Sequence, residues 1–81
     1  MKREDSKIRI LALERIFESK KPLTAQQIIN RLHAWYGIVV ERKTLYDDIA
    51  CLVRFMNIQM FLRGRYTYYQ LCDLEVDHDT V

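Results

Sequence analysis

From Ser6 to Met56 the apolar residues recur at helical spacing in three blocks, and after Asn57 they alternate instead. In "SKIRILALERIFESKK" Ile10, Leu13 and Phe17 stand at i, i+3 and i+7 with Ile16 adjoining, which predicts an amphipathic first helix. Ser6 or Asp5 is its expected cap, since either side chain can accept from a free backbone N–H. Lys20 and Lys21 suit the negative end of the helix dipole. Ile8 and Leu11 widen the apolar stripe, which fits either a surface for a partner chain or further domain, or a well-buried helix in a small one.

Pro22 interrupts the pattern, and "LTAQQIINRLHAWYG" restarts it. Thr24 and Gln27 have the T-x-x-Q spacing of a capping box, in which each side chain satisfies a backbone donor at the other's position. Ile28, Ile29, Leu32 and Trp35 or Tyr36 make the expected buried face, with Gln26, Asn30, Arg31 and His33 outside. Gly37 should end this helix, because a residue free to take positive φ closes the last turn. The third helix is expected over about 42–56, with Leu45, Ile49, Leu52, Val53 and Met56 turned inward. Burying those positions turns Arg42, Lys43, Tyr46, Asp47 and Ala50 outward.

In "NIQMFLRGRYTYYQL" two alternating runs flank Arg63-Gly64-Arg65, predicting a hairpin over 58–71 with two arginines at its tip. Like charges at a tip repel, so either solubility or a phosphate-binding role accounts for them. Three helices followed by a two-stranded hairpin is the element order of a winged helix-turn-helix, an α+β class that is mostly α. That order predicts a third helix lying in a major groove about 12 Å wide, and a wing on the backbone or minor groove.

Composition adds direction. The chain has 81 residues, enough for one small domain and too few for a large enclosed active site. Its formal charge of +2 is unevenly spread: residues 1–72 hold all 13 Lys and Arg, whereas residues 73–81, "DLEVDHDTV", hold four of the 11 acids. The body therefore carries an excess of six positive charges and the tail four negative ones, a balance that suits a polyanionic partner of the body. Residues 1–72 are read as the domain and 73–81 as an acidic tail or interdomain linker. Cys51 and Cys72 match neither a disulfide framework nor a zinc site, and read as free thiols in a reducing cytoplasm. No run approaches the roughly 18 consecutive apolar residues of a membrane span. Neither a catalytic set nor a phosphate-cradling glycine loop is evident, so no enzyme, cofactor or metal is expected.

Double-stranded DNA is the partner these features predict. Arg42 and Lys43 can meet guanine O6 and N7 or neutralise phosphates. Thr44 and Tyr46 carry hydroxyls suited to phosphate oxygens, although Tyr46 can alternatively pack against the second helix. Asp47 is tolerable beside DNA only if it accepts from cytosine N4 or pairs with Arg42 or Lys43. Asp48, one step round, is expected to make an intramolecular bond that fixes the helix. Gln26 and Gln27, beside free backbone donors, can grip a phosphate, and Arg63 and Arg65 serve the wing.

The stretch "KPLTAQQIINRLHAWYGIVVERKTLYDDIACL", with the "YYQL" strand after it, resembles the N-terminal winged-helix domain of WYL-domain bacterial transcriptional regulators over about residues 7–72. Its most specific part, "RKTLYDDI", is similar to the family's recognition-helix motif R-[KR]-T-[IL]-Y-x-D-I. The resemblance implies DNA contacts by Arg42, Lys43, Thr44 and Tyr46, and a cytoplasmic, nucleoid-associated place of action. It also implies a homodimer aided by a C-terminal effector domain, with residues 72–81 as the linker to it; a stand-alone reduced relative is the other possibility. Three features depart from the family: Asp47 where Arg is frequent, Glu41 where a capping Ser is frequent, and a short turn without a second glycine. The rival reading is a protein-interaction winged helix using Trp35, Tyr36, Tyr66 and Tyr68 as an aromatic patch.

Overall fold

The computed structural model describes residues 2–73, with side chains from Ser6 onward; residues 74–81, the bulk of the expected acidic tail, lie outside the described residues. Along the chain run α1 (Lys2–Phe17), β1 (Leu23–Thr24), α2 (Ala25–Tyr36), α3 (Arg42–Leu52), β2 (Ile58–Arg63) and β3 (Tyr66–Leu71). Three helices precede an antiparallel hairpin, so the layout is that of a winged helix.

The core forms where the three helical stripes meet. Leu13, Ile16 and Phe17 of α1, Ile28 and Leu32 of α2, and Leu45 and Leu52 of α3 are almost wholly shielded from solvent. Ala12, Ala25, Ile49, Val40, Leu23 and Ile58 complete the cluster, with Met56, Tyr69 and Leu71 packed against it. Apolar area removed from water at roughly 25 cal/mol per Å² is the main stabilising contribution to so small a domain.

Helix α1 starts at Lys2, so Asp5 and Ser6 lie inside it and neither is the cap. Apolar periodicity marks only where a helix is packed, and nothing in "KREDS" contains the Gly or Pro that would end the helix there. Helix α2 begins as predicted. Thr24 Oγ1 accepts from Gln27 N–H at 3.2 Å while Gln27 Oε1 accepts from Thr24 N–H at 2.9 Å. At its other end Gly37 takes φ 68°. Its N–H donates to His33 O at 2.9 Å, the 5→1 bond of an αL closure, and that of Ile38 donates to Leu32 O at 3.0 Å.

That closure corrects the expected buried face. Ile38, brought back against Leu32, packs on the core beside Val40, and Trp35 and Tyr36 are left exposed. Helix α3 also ends earlier than the expected 56. Phe55 and Met56 N–H both donate to Leu52 O at 2.8 Å, a tightened turn that leaves Val53 exposed while Met56 stays half-buried.

Two strands pair in full register from Ile58↔Leu71 to Arg63↔Tyr66. The turn between them places Gly64 at φ 66° as the first of two loop residues, while Arg65 has no positive φ, the pattern of a type II′ turn. The short β1, absent from the sequence reading, pairs Leu23 with Tyr69 and Thr24 with Tyr68 and makes β3 the central strand. Lys20, at φ 60°, holds the β1 approach: its carbonyl accepts from Gln70 Nε2 at 2.8 Å and its ammonium pairs with Asp73.

Asp48 makes the intramolecular bond expected of it. Arg9 of α1 donates from Nε to one carboxylate oxygen and from Nη2 to the other at 3.2 Å, with both side chains mostly buried. Asp48→Ala removes the carboxylate from that bond and is expected to lower stability by about 2–3 kcal/mol. Asp48→Asn, which retains an acceptor, should cost less. Urea unfolding with an unchanged slope and a lower midpoint is the check.

Candidate nucleic-acid interface

Helix α3 brings its outward side chains to the surface by geometry alone. With Leu45, Ile49 and Leu52 buried, Arg42, Lys43, Tyr46, Asp47 and Ala50 are all exposed and Thr44 is half-buried. Its first turn has little local support. Glu41 occupies the cap position in extended conformation but makes no side-chain capping bond, the consequence expected from Glu in place of a short hydroxyl residue.

Support comes from α2. Arg42 Nη2 donates to Gln26 Oε1 at 2.7 Å, and Gln26 Nε2 donates to Asn30 Oδ1 at 3.0 Å. This chain of bonds ties the start of α3 to the first turns of α2. Gln26 therefore positions Arg42, while Gln27 spends its carbonyl oxygen on the capping box and keeps only its amide donors available.

These residues border an open cleft of about 460 Å³ between the N-terminus of α2, the N-terminus of α3 and β3. Gln26, Gln27, Arg42 and Tyr46 face Arg65 and Thr67 across it. Arg42, Arg65, Tyr46, Thr67 and the first residues of a 12-residue helix thus border one space. Such a set favours a phosphate: the helix end and both cations attract negative charge, and the N–H and O–H groups donate hydrogen bonds.

The two wing arginines separate. Arg65 joins the cleft, whereas Arg63 lies over Phe61 and Tyr68 at 5.6 and 5.8 Å from their ring centroids. Phe61 and Tyr68 face each other across β2 and β3 and stack at 5.8 Å with planes 16° apart. The register puts Arg63, Phe61, Tyr68 and Tyr66 on one side of the hairpin and Met60, Leu62, Thr67 and Tyr69 on the other.

Tyr46 is exposed and borders the cleft together with residues of α2 and β3. With Tyr69 it divides the polar cleft from an apolar groove of about 320 Å³ lined by Ile49, Ala50, Val53 and Met60. Neither the cleft's β3 wall nor this groove is anticipated from sequence, because both depend on how the hairpin packs beside α2 and α3.

The proposed aromatic patch of the rival reading does not form one surface. Tyr66 and Tyr68 border the cleft at the start of α2, while Trp35 and Tyr36 lie at its far end, most of the helix's roughly 18 Å length away. There Trp35 and Tyr36 meet edge to face at 6.4 Å, and Arg31 lies 5.1 Å over the indole. Among the described residues no three His, Cys, Asp or Glu side chains gather in a metal-binding group, and no helix is long and apolar enough to cross a membrane.

No protein-family model matches the chain, and comparison with curated proteins and with solved structures finds no match either.

Burial of its hydroxyl, and secondarily the charge of a neighbouring Tyr46 phenolate, push the Tyr69 pKa above the usual 10.0. The unfolded chain then loses this proton first as pH rises past about 10, so the contribution to stability is complete below that pH and falls as the folded value is crossed. Absorbance titration should show a tyrosine step above the usual 10.0, and Tyr46→Phe should bring that step downward.

Proposed function

We propose that this chain is a sequence-specific double-stranded DNA-binding module of a bacterial transcriptional regulator similar to the WYL-domain type, acting in the cytoplasm at the nucleoid. Helix α3 enters the major groove, and the β2–β3 wing follows the backbone or minor groove. The observation that carries this reading is the shared cleft: Arg42 and Tyr46 of the recognition helix and Arg65 of the wing border one space at the start of α2.

A phosphate seated there fixes the register of the module on the duplex, because it is gripped from three elements at once. The exposed Lys43, Thr44 and Asp47 then approach base edges and the neighbouring backbone. Arg63 reaches a second stretch of backbone from its aromatic bed. No enzymatic step, cofactor or metal enters this function.

A single module covers roughly 600–1,000 Å² on DNA, the low end for a specific complex, so two copies are needed for a long site. Ile8 and Leu11, exposed on α1, offer an apolar surface for self-association.

The salt dependence of duplex binding tests the proposal. With about five phosphate contacts, log K falls against log salt with a slope near −4.5. Arg65→Ala should weaken binding to every duplex and reduce the steepness by about 1, since one counterion fewer is released. Arg42→Ala, which takes the second cation from the cleft, should likewise weaken binding to every duplex and reduce the steepness by about 1 more. A salt-insensitive association, or affinity unchanged by Arg65→Ala, would remove the cleft from the function.

A further inference from the structure

Resting on the DNA-binding reading, we propose that Asp47 is the residue that selects a cytosine, accepting a hydrogen bond from the N4 amino group in the major groove. The two neighbouring carboxylates of α3 divide their tasks. Asp48 is buried and held by Arg9. Asp47 is exposed and has no hydrogen-bond or ionic partner among the described residues.

Both intramolecular alternatives for Asp47 are unused. Arg42 gives its guanidinium to Gln26 and faces the cleft, and Lys43, one turn before Asp47 on the same face, makes no ion pair with it. At about 100° per residue, Lys43 and Asp47 straddle the line directly opposite the buried Leu45, Ile49 and Leu52. Arg42 and Tyr46 sit on the wing side of that line and Asp48 on the α1 side. Asp47 is thus at the apex of the helix, the part that goes deepest into a groove and furthest from the phosphates that would repel it.

Base chemistry then narrows the choice. Guanine presents O6 and N7, and thymine presents O4, all acceptors that a carboxylate avoids. Adenine offers the N6 amino group beside the N7 acceptor, so a second carboxylate oxygen meets repulsion there. Cytosine offers N4 with no neighbouring acceptor of its own on that edge. The guanine paired with it, or the guanine of an adjacent pair, presents O6 and N7 to the Lys43 ammonium. Attraction at one strand and donation from the other make a C·G step the complementary target of this Lys-x-x-x-Asp face.

Selection of bound duplexes from a random pool, run in parallel with the wild-type chain, Asp47→Ala and Asp47→Asn, tests the assignment. Asp47 is exposed and carries no bond of the fold, so circular dichroism should be the same for all three. Wild type should enrich cytosine at one position of the site by about 5- to 100-fold over other bases. Asp47→Ala should lose the preference at that position alone. Asp47→Asn should move it to adenine, because a side-chain amide can both donate to N7 and accept from N6. The assignment is overturned if the three selections agree at every position, or if Asp47→Ala only tightens all duplexes alike, the behaviour of a solvated charge. A wild-type pool that retains no duplex at either of two salt concentrations overturns the DNA reading itself, and the Asp47 role with it.

Discussion

Everything that α3 presents to solvent depends on the rotation of that helix about its own axis. Two contacts of different chemistry set it: the packing of Leu45, Ile49 and Leu52 into the core, and the bond from Arg9 to Asp48 at the edge of that core. Apolar packing tolerates small rotations because it is non-directional. A guanidinium meeting a carboxylate through two N–H groups does not, since both bonds weaken together when the helix turns. The pair therefore contributes orientation as much as stability. At 11 residues and with no side-chain cap, α3 is too short to be stable alone, so its form is imposed by its neighbours.

The cleft depends on a second constraint, the position of β3. Its base is pinned by the ladder from Ile58 to Leu71, by Leu23 and Thr24 of β1, and by the bond from Gln70 to the Lys20 carbonyl. Beyond Tyr68 the strand has no β1 partner, and the space that a longer β1 would fill is open. The chain turns there into α2 instead, which brings helix N–H groups to the wall where a strand would have stood. Thr24 has two roles in this geometry: the last paired residue of β1 and the cap of α2. One threonine thus links the sheet edge to the helix end that faces the two arginines.

Much of this was legible in the sequence where a local rule acts alone. The capping box at Thr24 and Gln27, the positive φ of Gly37, the tight turn at Gly64, the inward Leu45, Ile49 and Leu52, and the bonded Asp48 each follow from residue type and spacing. The differences arise at helix ends, where apolar periodicity alone does not decide which residue keeps its place. Trp35 continues the α2 stripe but loses its place to Ile38, which the turn at Gly37 folds back. Val53 continues the α3 stripe but is turned out when the helix tightens at Leu52. Asp5 and Ser6 looked like a start only because the apolar pattern begins beside them. The divergence of Arg63 and Arg65 could not be read at all, since it requires the Phe61–Tyr68 stack across two strands.

An acidic residue at the apex of a cationic module also bears on how specificity arises with few contacts. Each Lys or Arg on a phosphate raises affinity for all sequences equally, so added cations strengthen the specific site and its many competitors together. A carboxylate acts on the difference. Over acceptor edges it is repelled, and only where an amino group meets it does the repulsion turn into a bond. In the proposed binding mode Asp47 lowers non-specific association more than specific association, and the discrimination ratio rises although the total attraction falls. The Arg42, Arg65 and α2 cleft can then supply phosphate affinity without having to supply sequence preference. Separating the two tasks between the rim and the apex of one short helix is possible because Arg9 and Gln26 hold that helix from opposite sides.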